Sequence, residues 1–231
     1  FCMLAGQAGA VFLLISPSPT ANGYGGAGTS VSTMDIYSSY YNPAQPLLPN
    51  GLSVQISRNK IDWLKNLTGP HSKYNSNISI IGYKASLLNN LNYQTCITNS
   101  KYHLQVPANL TEAIQFGLQV RYNDYYSDAI TFSFGIESNK FPIFFGLGVT
   151  TKKVKQDMGD SYNDWYEHSS SDFISKNVFH DWGLRFSLND YQIIKNKNLK
   201  LNYALGYSKS NIGDRIDFSV DSGSDPPPTN S

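Results

Sequence analysis

Charge is scarce in this chain. Asp, Glu, Lys and Arg together supply 15% of its 231 residues, and they nearly cancel to a formal net charge of +1. No run of Lys or Arg stands out, so a nucleic-acid partner has no electrostatic footprint here. Cysteine is nearly missing. Cys2 lies in an apolar N-terminal stretch and Cys96 stands alone, which excludes a disulfide framework and a thiolate metal cluster. Long apolar runs are lacking as well, and nothing approaches the ~18–20 residues that a membrane-spanning helix requires. Motifs of catalysis are absent: neither G-x-S-x-G nor H-E-x-x-H occurs. The four histidines (His71, His103, His168, His180) do not show metal-ligand spacing. The acidic stretch 157–172 does not fit an EF-hand loop and reads as a solvated connection. The expectation is a protein that is not an enzyme and holds no cofactor and no metal.

Aromatics and alternation are present in quantity. Phe, Trp and Tyr make up 13% of the chain, with 16 tyrosines. From Gly51 onward apolar residues recur every second position. "GLSVQISR" places Leu52, Val54 and Ile56 opposite Ser53, Gln55 and Ser57. "AIQFGLQVRY" and "DAITFSFGIE" do the same over 113–122 and 128–137, as do "IFFGLGVT", "VFHDWGLRFSL" and "LKLNYALGYSK". Several of these runs match the ~9–11 residues of a tilted membrane strand rather than the ~5–6 of a soluble one. Their polar faces mix Gln, Ser, Thr and Asn with isolated charges, as a wet lumen would. Alternation alone also fits a soluble β-sandwich. Strand length and the scarcity of charge favour an all-β, antiparallel transmembrane β-barrel, with eight or nine strands in this chain. Gln115, Gln119, Arg121, Glu137, Asp181 and Arg185 are its candidate lumen-lining residues.

The connections alternate in length. Residues 138–141 make a tight turn and 189–198 a moderate one, whereas 59–74 and 152–176 are long. Outer-membrane barrels have short turns on one side and long loops on the other. Three apolar runs fall between the turns near 88 and 138, where an even number is required. "LNYQTCIT" is the weakest of the three, so 88–112 is expected to be an insertion or a broken strand. At the N-terminus, "FCMLAGQA" reads as residual signal peptide over 1–8. The polar, Pro-rich "DSGSDPPPTNS" reads as a loop, and the barrel is expected to be incomplete here.

Residues 9–49 follow another logic. "NGYGGAG" spells G-x-G-x-x-G, but a dinucleotide fingerprint needs a strand before it, a helix after it and an acid about 20 residues on. Pro17 and Pro19 break the approach, and "QPLLPNG" supplies no acid. With Gly23, Gly25, Gly26 and Ala27 followed by Asn42, Pro43 and Ala44 just before the first alternating run, the segment resembles the N-terminal region of the PorV/PorQ family. These are outer-membrane proteins related to the FadL-type fatty-acid channels. The likeness covers residues 9–65 well and is loose beyond, where Gly206, Asn211 and Gly213 are similar to a later strand ending.

That resemblance implies a plug over 9–49 that folds into a barrel built from 50–231. It also implies the bacterial outer membrane, in Bacteroidetes-type cells. The implied role is a docking and shuttling partner in type IX protein secretion, with the lipid bilayer and secreted cargo or secretion-system proteins as partners. The alternative is a FadL-like channel for a hydrophobic small molecule. Glycines in such a plug let backbone approach the wall closely and take positive φ, and Pro43 fixes the direction of the chain.

Overall fold

A computed structural model describes residues 13, 15, 17–18, 20, 23, 28–30, 35–45, 48–62, 72–107, 115–116, 119–138, 140–158, 174–194 and 199–216, with only the backbone at 61–62, 189–190, 192–194 and 199. The described chain is all-β: one seven-stranded antiparallel sheet in sequential order, not closed on itself. The strands are β1 (Gly51–Asp62), β2 (Lys73–Leu88), β3 (Leu91–Pro107), β4 (Tyr122–Ser138), β5 (Ile143–Asp157), β6 (Ile174–Ile194) and β7 (Leu199–Gly213). One short helix, α1 (Ser38–Tyr41), precedes them. No described helix is long and apolar enough to cross a membrane, which says nothing about crossing by strands.

Most strands run 15 to 21 residues, roughly three to four times the ~5–6 residues usual in globular sheets. Short turns join β2 to β3, β4 to β5 and β6 to β7, whereas 63–72, 108–121 and 158–173 form long connections at the opposite end. The segment before β1 enters at the short-turn end, where Gly51 adopts φ 89°. That value is in the left-handed region, which glycine tolerates without steric cost.

Four sequence expectations are corrected. The stretch 91–107 is a full strand, β3, not an insertion or a broken strand. Its polar residues Gln94, Thr98 and Ser100 point to the buried side, so the weak apolar signal reflects what covers that side. Conversely, the described part of the run 114–121 carries no strand: Gln115 and Phe116 are helical and exposed, and pairing of β4 begins at Tyr122. Exchanging the two restores the even count between the short turns. The strand total falls to seven among the described residues, and β6 continues to Ile194 across two irregularities, shortening the expected 189–198 connection to 195–198.

The two faces of the sheet are inverted relative to a soluble protein. One face exposes Val54, Ile81, Ile97, Phe132, Val149 and Trp182, which lie along a single register row across β1 to β6. Neighbouring rows add Leu52, Tyr83, Phe134, Leu147, Leu184 and Tyr207. The other face buries Gln94, Thr98, Thr131, Ser133, Thr150, Lys152, Asp181, Arg185, Ser187 and Ser208. What covers that face is the N-terminal segment. Leu13, Tyr37 and Leu48 pack there on Tyr74, Ile78, Ile80, Tyr102, Leu104, Val154 and Phe179, forming the hydrophobic core.

Candidate functional site: the covered polar face

One row of the covered face consists of small residues alone. Ser53, Gly82, Cys96, Ser133, Gly148, Gly183 and Ser208 are register partners in succession from β1 to β7. The adjoining row contributes Gly135, Gly146 and Gly206. In a strand interior, glycine marks a place where another backbone comes close. Here the row forms a trough across the sheet, and Asn42-Pro43-Ala44 lies in it. A Cβ on Gly148 would meet the Pro43 carbonyl at 2.1 Å, and one on Gly183 would meet Asn42 Oδ1 at 2.0 Å. At Gly146 it would meet the Ala44 carbonyl at 2.6 Å, and at Gly206 the Thr29 carbonyl at 2.1 Å.

Asn42 is wholly buried and connects this arrangement. Its Nδ2 donates to the Thr29 carbonyl and to the Leu184 carbonyl of β6, each at 2.9 Å. Its Oδ1 accepts from the Ala44 N–H at 2.9 Å, an Asx turn that reverses the chain at Pro43. Ser133 Oγ donates to the Pro43 carbonyl at 2.6 Å, and Ser208 Oγ to the Tyr41 carbonyl at 2.8 Å. Gln45 Nε2 bonds the Gly28 and Thr29 carbonyls, both at 2.6 Å. The Leu48 N–H reaches Gln94 Oε1 at 3.2 Å. Irregular backbone is thus satisfied by side chains of the sheet, as burial requires.

A second cluster sits beside the trough. Lys152 Nζ lies 2.7 Å from Asp181 Oδ2 and donates to Asn211 Oδ1 at 2.8 Å, with all three residues buried. The Asn211 N–H returns a bond to Asp181 Oδ1 at 2.7 Å. Asn211 has φ 57°, in a register irregularity where β7 carries an extra residue opposite Asp181. Asn is among the few residues that take this left-handed conformation readily, and the bulge re-aims its amide at the ion pair. A small cavity between this cluster and α1 is lined by Leu13, Tyr40, Tyr102, Thr131, Lys152 and Asp181. Burial pushes the Tyr40 phenol well above its ordinary value, with Tyr41 and Asp181 adding to the shift, so the hydroxyl stays a donor to the Leu13 carbonyl.

The sequence-predicted residues divide sharply. Asn42, Pro43 and Ala44 meet at the trough, and Asp181 and Arg185 lie on the same covered face. Arg185 rests over the Phe144 ring at 5.5 Å, and its Nε and Nη1 have no hydrogen-bond partner among the described residues. Glu137 pairs with Lys84 near the short turns, partly exposed. Gln115 and Gln119 are exposed in the connection before β4, and Arg121 sits just ahead of that strand. Gly23 is exposed with open space around its Cα. Gly25, Gly26, Ala27, the signal-like 1–8 and most of the acidic stretch 157–172 lie outside the described residues. Sequence reasoning missed Lys152, because "TTKKVKQ" looks like a loop. Carrying the alternation of β5 two residues past Thr150 would have placed it inward. The trough itself was missed because its small residues lie on seven separate strands and align only through register.

Among the described residues, no group of His, Cys, Asp and Glu is arranged to hold a metal ion. The arrangement is built to seat a chain segment against a wall. No family model, curated protein or solved structure matches this chain.

Proposed function

We propose that the sheet is the wall of an outer-membrane β-barrel of the PorV/PorQ type, plugged by its own N-terminal segment. Its role in this reading is docking and shuttling in type IX protein secretion. The observation that carries the reading is the inverted sheet: a largely apolar face left uncovered, and a polar face buried under the described residues of the N-terminal segment, Leu13, Tyr37 and Leu48 among them. Soluble monomers rarely expose apolar patches beyond a few hundred Å², whereas a lipid-facing barrel wall requires one. Five successive register rows carry mostly apolar side chains on this face, from Leu91 to Asn99 on β3 and its partners, with Thr95 and Asn99 of β3 and Lys209 of β7 among the polar exceptions. They span roughly 27 Å along the strands at the usual rise per residue, comparable to the ~25 Å apolar band of outer-membrane barrels. Short turns at one end and long connections at the other fit the same architecture. The reading requires further strands to pair the outer edges of β1 and β7, since lipid does not tolerate an open edge.

The polar lining and the close seat of Asn42-Pro43-Ala44 support docking over passage of an apolar compound. The FadL-like channel reading draws on the apolar cluster around Ile78, Ile80 and Phe179 beneath the segment. Deleting the gene in the source bacterium separates the two. Secreted proteins held back in the periplasm support docking. Intact secretion with reduced uptake of an apolar compound supports the channel. A protein that fractionates as soluble and shows no heat-dependent gel mobility contradicts both.

A further inference from the structure

The uncovered face changes chemistry abruptly at the long-connection end. Immediately past the apolar rows, one register row holds Arg58, Lys101 and Lys153, and the next holds Lys60, Lys155 and Lys176. Asp128 is the lone carboxylate in these two rows. It lies 3.9 Å from Lys101, and Asp157 of the following row holds Lys155 at 2.9 Å. Arg58, Lys60, Lys153 and Lys176 have no carboxylate partner among the described residues. The Arg58 side chain instead donates to Asn77 Oδ1 at 3.0 Å. At this margin a cleft of about 560 Å³ opens over β1 to β4, lined by Arg58, Lys60, Lys101, His103 and Tyr126 and by one carboxylate, Asp128; His103 lies 2.6 Å from Asp124, so the cations available to a ligand are Arg58, Lys60 and Lys101. The opposite margin of the same face has no such belt: its two outermost rows carry Tyr93, Ile136 and Phe145, then Leu91, Ser138 and Ile143, without a cation.

We propose that this cationic cleft holds the phosphate-bearing headgroups of anionic lipid in the leaflet at the long-connection end. The proposal rests on the membrane reading above. Cations directly adjoining an apolar band sit at headgroup depth, and each one near an anionic leaflet contributes about fivefold in affinity. Planar Arg and flexible Lys both donate to phosphate oxygens. Asn77 and Tyr126 add neutral hydrogen-bonding groups for the remainder of a headgroup. The cleft is large enough for such a group, and its position on the uncovered face gives access from within the leaflet plane. The leaflet with anionic phosphate is therefore the one on the side of the long connections, which orients the sheet in the membrane.

The test uses the full chain in a neutral detergent, with phosphatidylglycerol or phosphatidylcholine added and retained lipid counted by native mass spectrometry. Selective retention of phosphatidylglycerol is expected, with retention reduced on the order of tenfold or more in R58Q/K60Q/K101Q. K140Q, in a short turn at the other margin, should retain lipid like the parent. Equal retention of both lipids, or full retention by the triple variant, overturns the proposal. So does displacement by equimolar inorganic phosphate, which would mark a site for a soluble anion. Insertion into phosphatidylcholine vesicles, scored by resistance to urea extraction, is measured alongside. Failure there removes the membrane reading and this proposal together, whereas insertion without lipid preference removes this proposal alone.

Discussion

Gly148 lies directly beneath Pro43: a methyl group placed on it would stand 2.1 Å from the Pro43 carbonyl oxygen and 2.7 Å from the Ala44 nitrogen. Contact that close is available to glycine alone, so a residue of β5 and one of the N-terminal segment are defined by each other.

Gly148→Ala and Gly183→Ala should therefore each unseat the segment. Gly→Ala normally helps a chain by restricting the unfolded state, but overpacking here should cost about 1–3 kcal/mol. Limited proteolysis between residues 30 and 50 should accelerate, while Gly23→Ala, with open space around it, should behave like the parent. Equal resistance in all three proteins would mean that the trough does not seat the segment.

Replacement of Asn42 by Ala should be more damaging than its size suggests. Three hydrogen bonds disappear, and the Leu184 and Thr29 carbonyls and the Ala44 N–H each lose a partner. A buried group left unsatisfied costs about 1–3 kcal/mol. Thermal unfolding followed by circular dichroism should show a lowered midpoint, and Asn42→Asp, which keeps only the accepting role, should be nearly as damaging.

On the uncovered face, position should decide whether a charge is tolerated. Val149→Lys sits mid-band, where a cation costs about 2–4 kcal/mol in lipid. Val178→Lys joins the row of Lys101 and Lys153. The first should reduce the membrane-inserted fraction in a urea-extraction assay, and the second should not. If Val149→Lys inserts like the parent, the face does not meet acyl chains.

Lys152 and Asp181 should behave as a unit. Either Lys152→Met or Asp181→Leu alone leaves an uncompensated buried charge, at about 3–5 kcal/mol. The double variant should recover much of that loss, because an apolar pair of similar volume can replace a buried ion pair at little cost. A double-mutant cycle on chemical unfolding checks this, and simple additivity would refute it.

β1 and β4 to β7 were legible from two-residue periodicity because their uncovered positions are largely apolar, from Leu52 to Tyr207, whereas β2 was not singled out. β3 escaped for the opposite reason. Its uncovered positions include half-buried Thr95 and exposed Asn99 and Lys101 and its covered ones Gln94, Thr98 and Ser100, so hydropathy barely oscillates although the geometry does. The 114–121 stretch oscillates well, yet its described residues are not in a strand, so alternation is a statement about side chains and not about pairing. Asn42-Pro43-Ala44 stood out as a local cluster. The trough that receives it depends on register across all seven strands, and no local window contains that information.

The Asn42 amide reaches a carbonyl 142 residues further along the chain. A segment near the start of the chain therefore finds its seat only once β6 and β7 exist. Closing so long a loop is slow and entropically costly, and until then Tyr41 and Asn42 lack the partners that β6 and β7 supply. The order of synthesis and the order of completion are reversed: a segment made before the strands that seat it is among the last to settle, and its arrival reports that the sheet has been assembled.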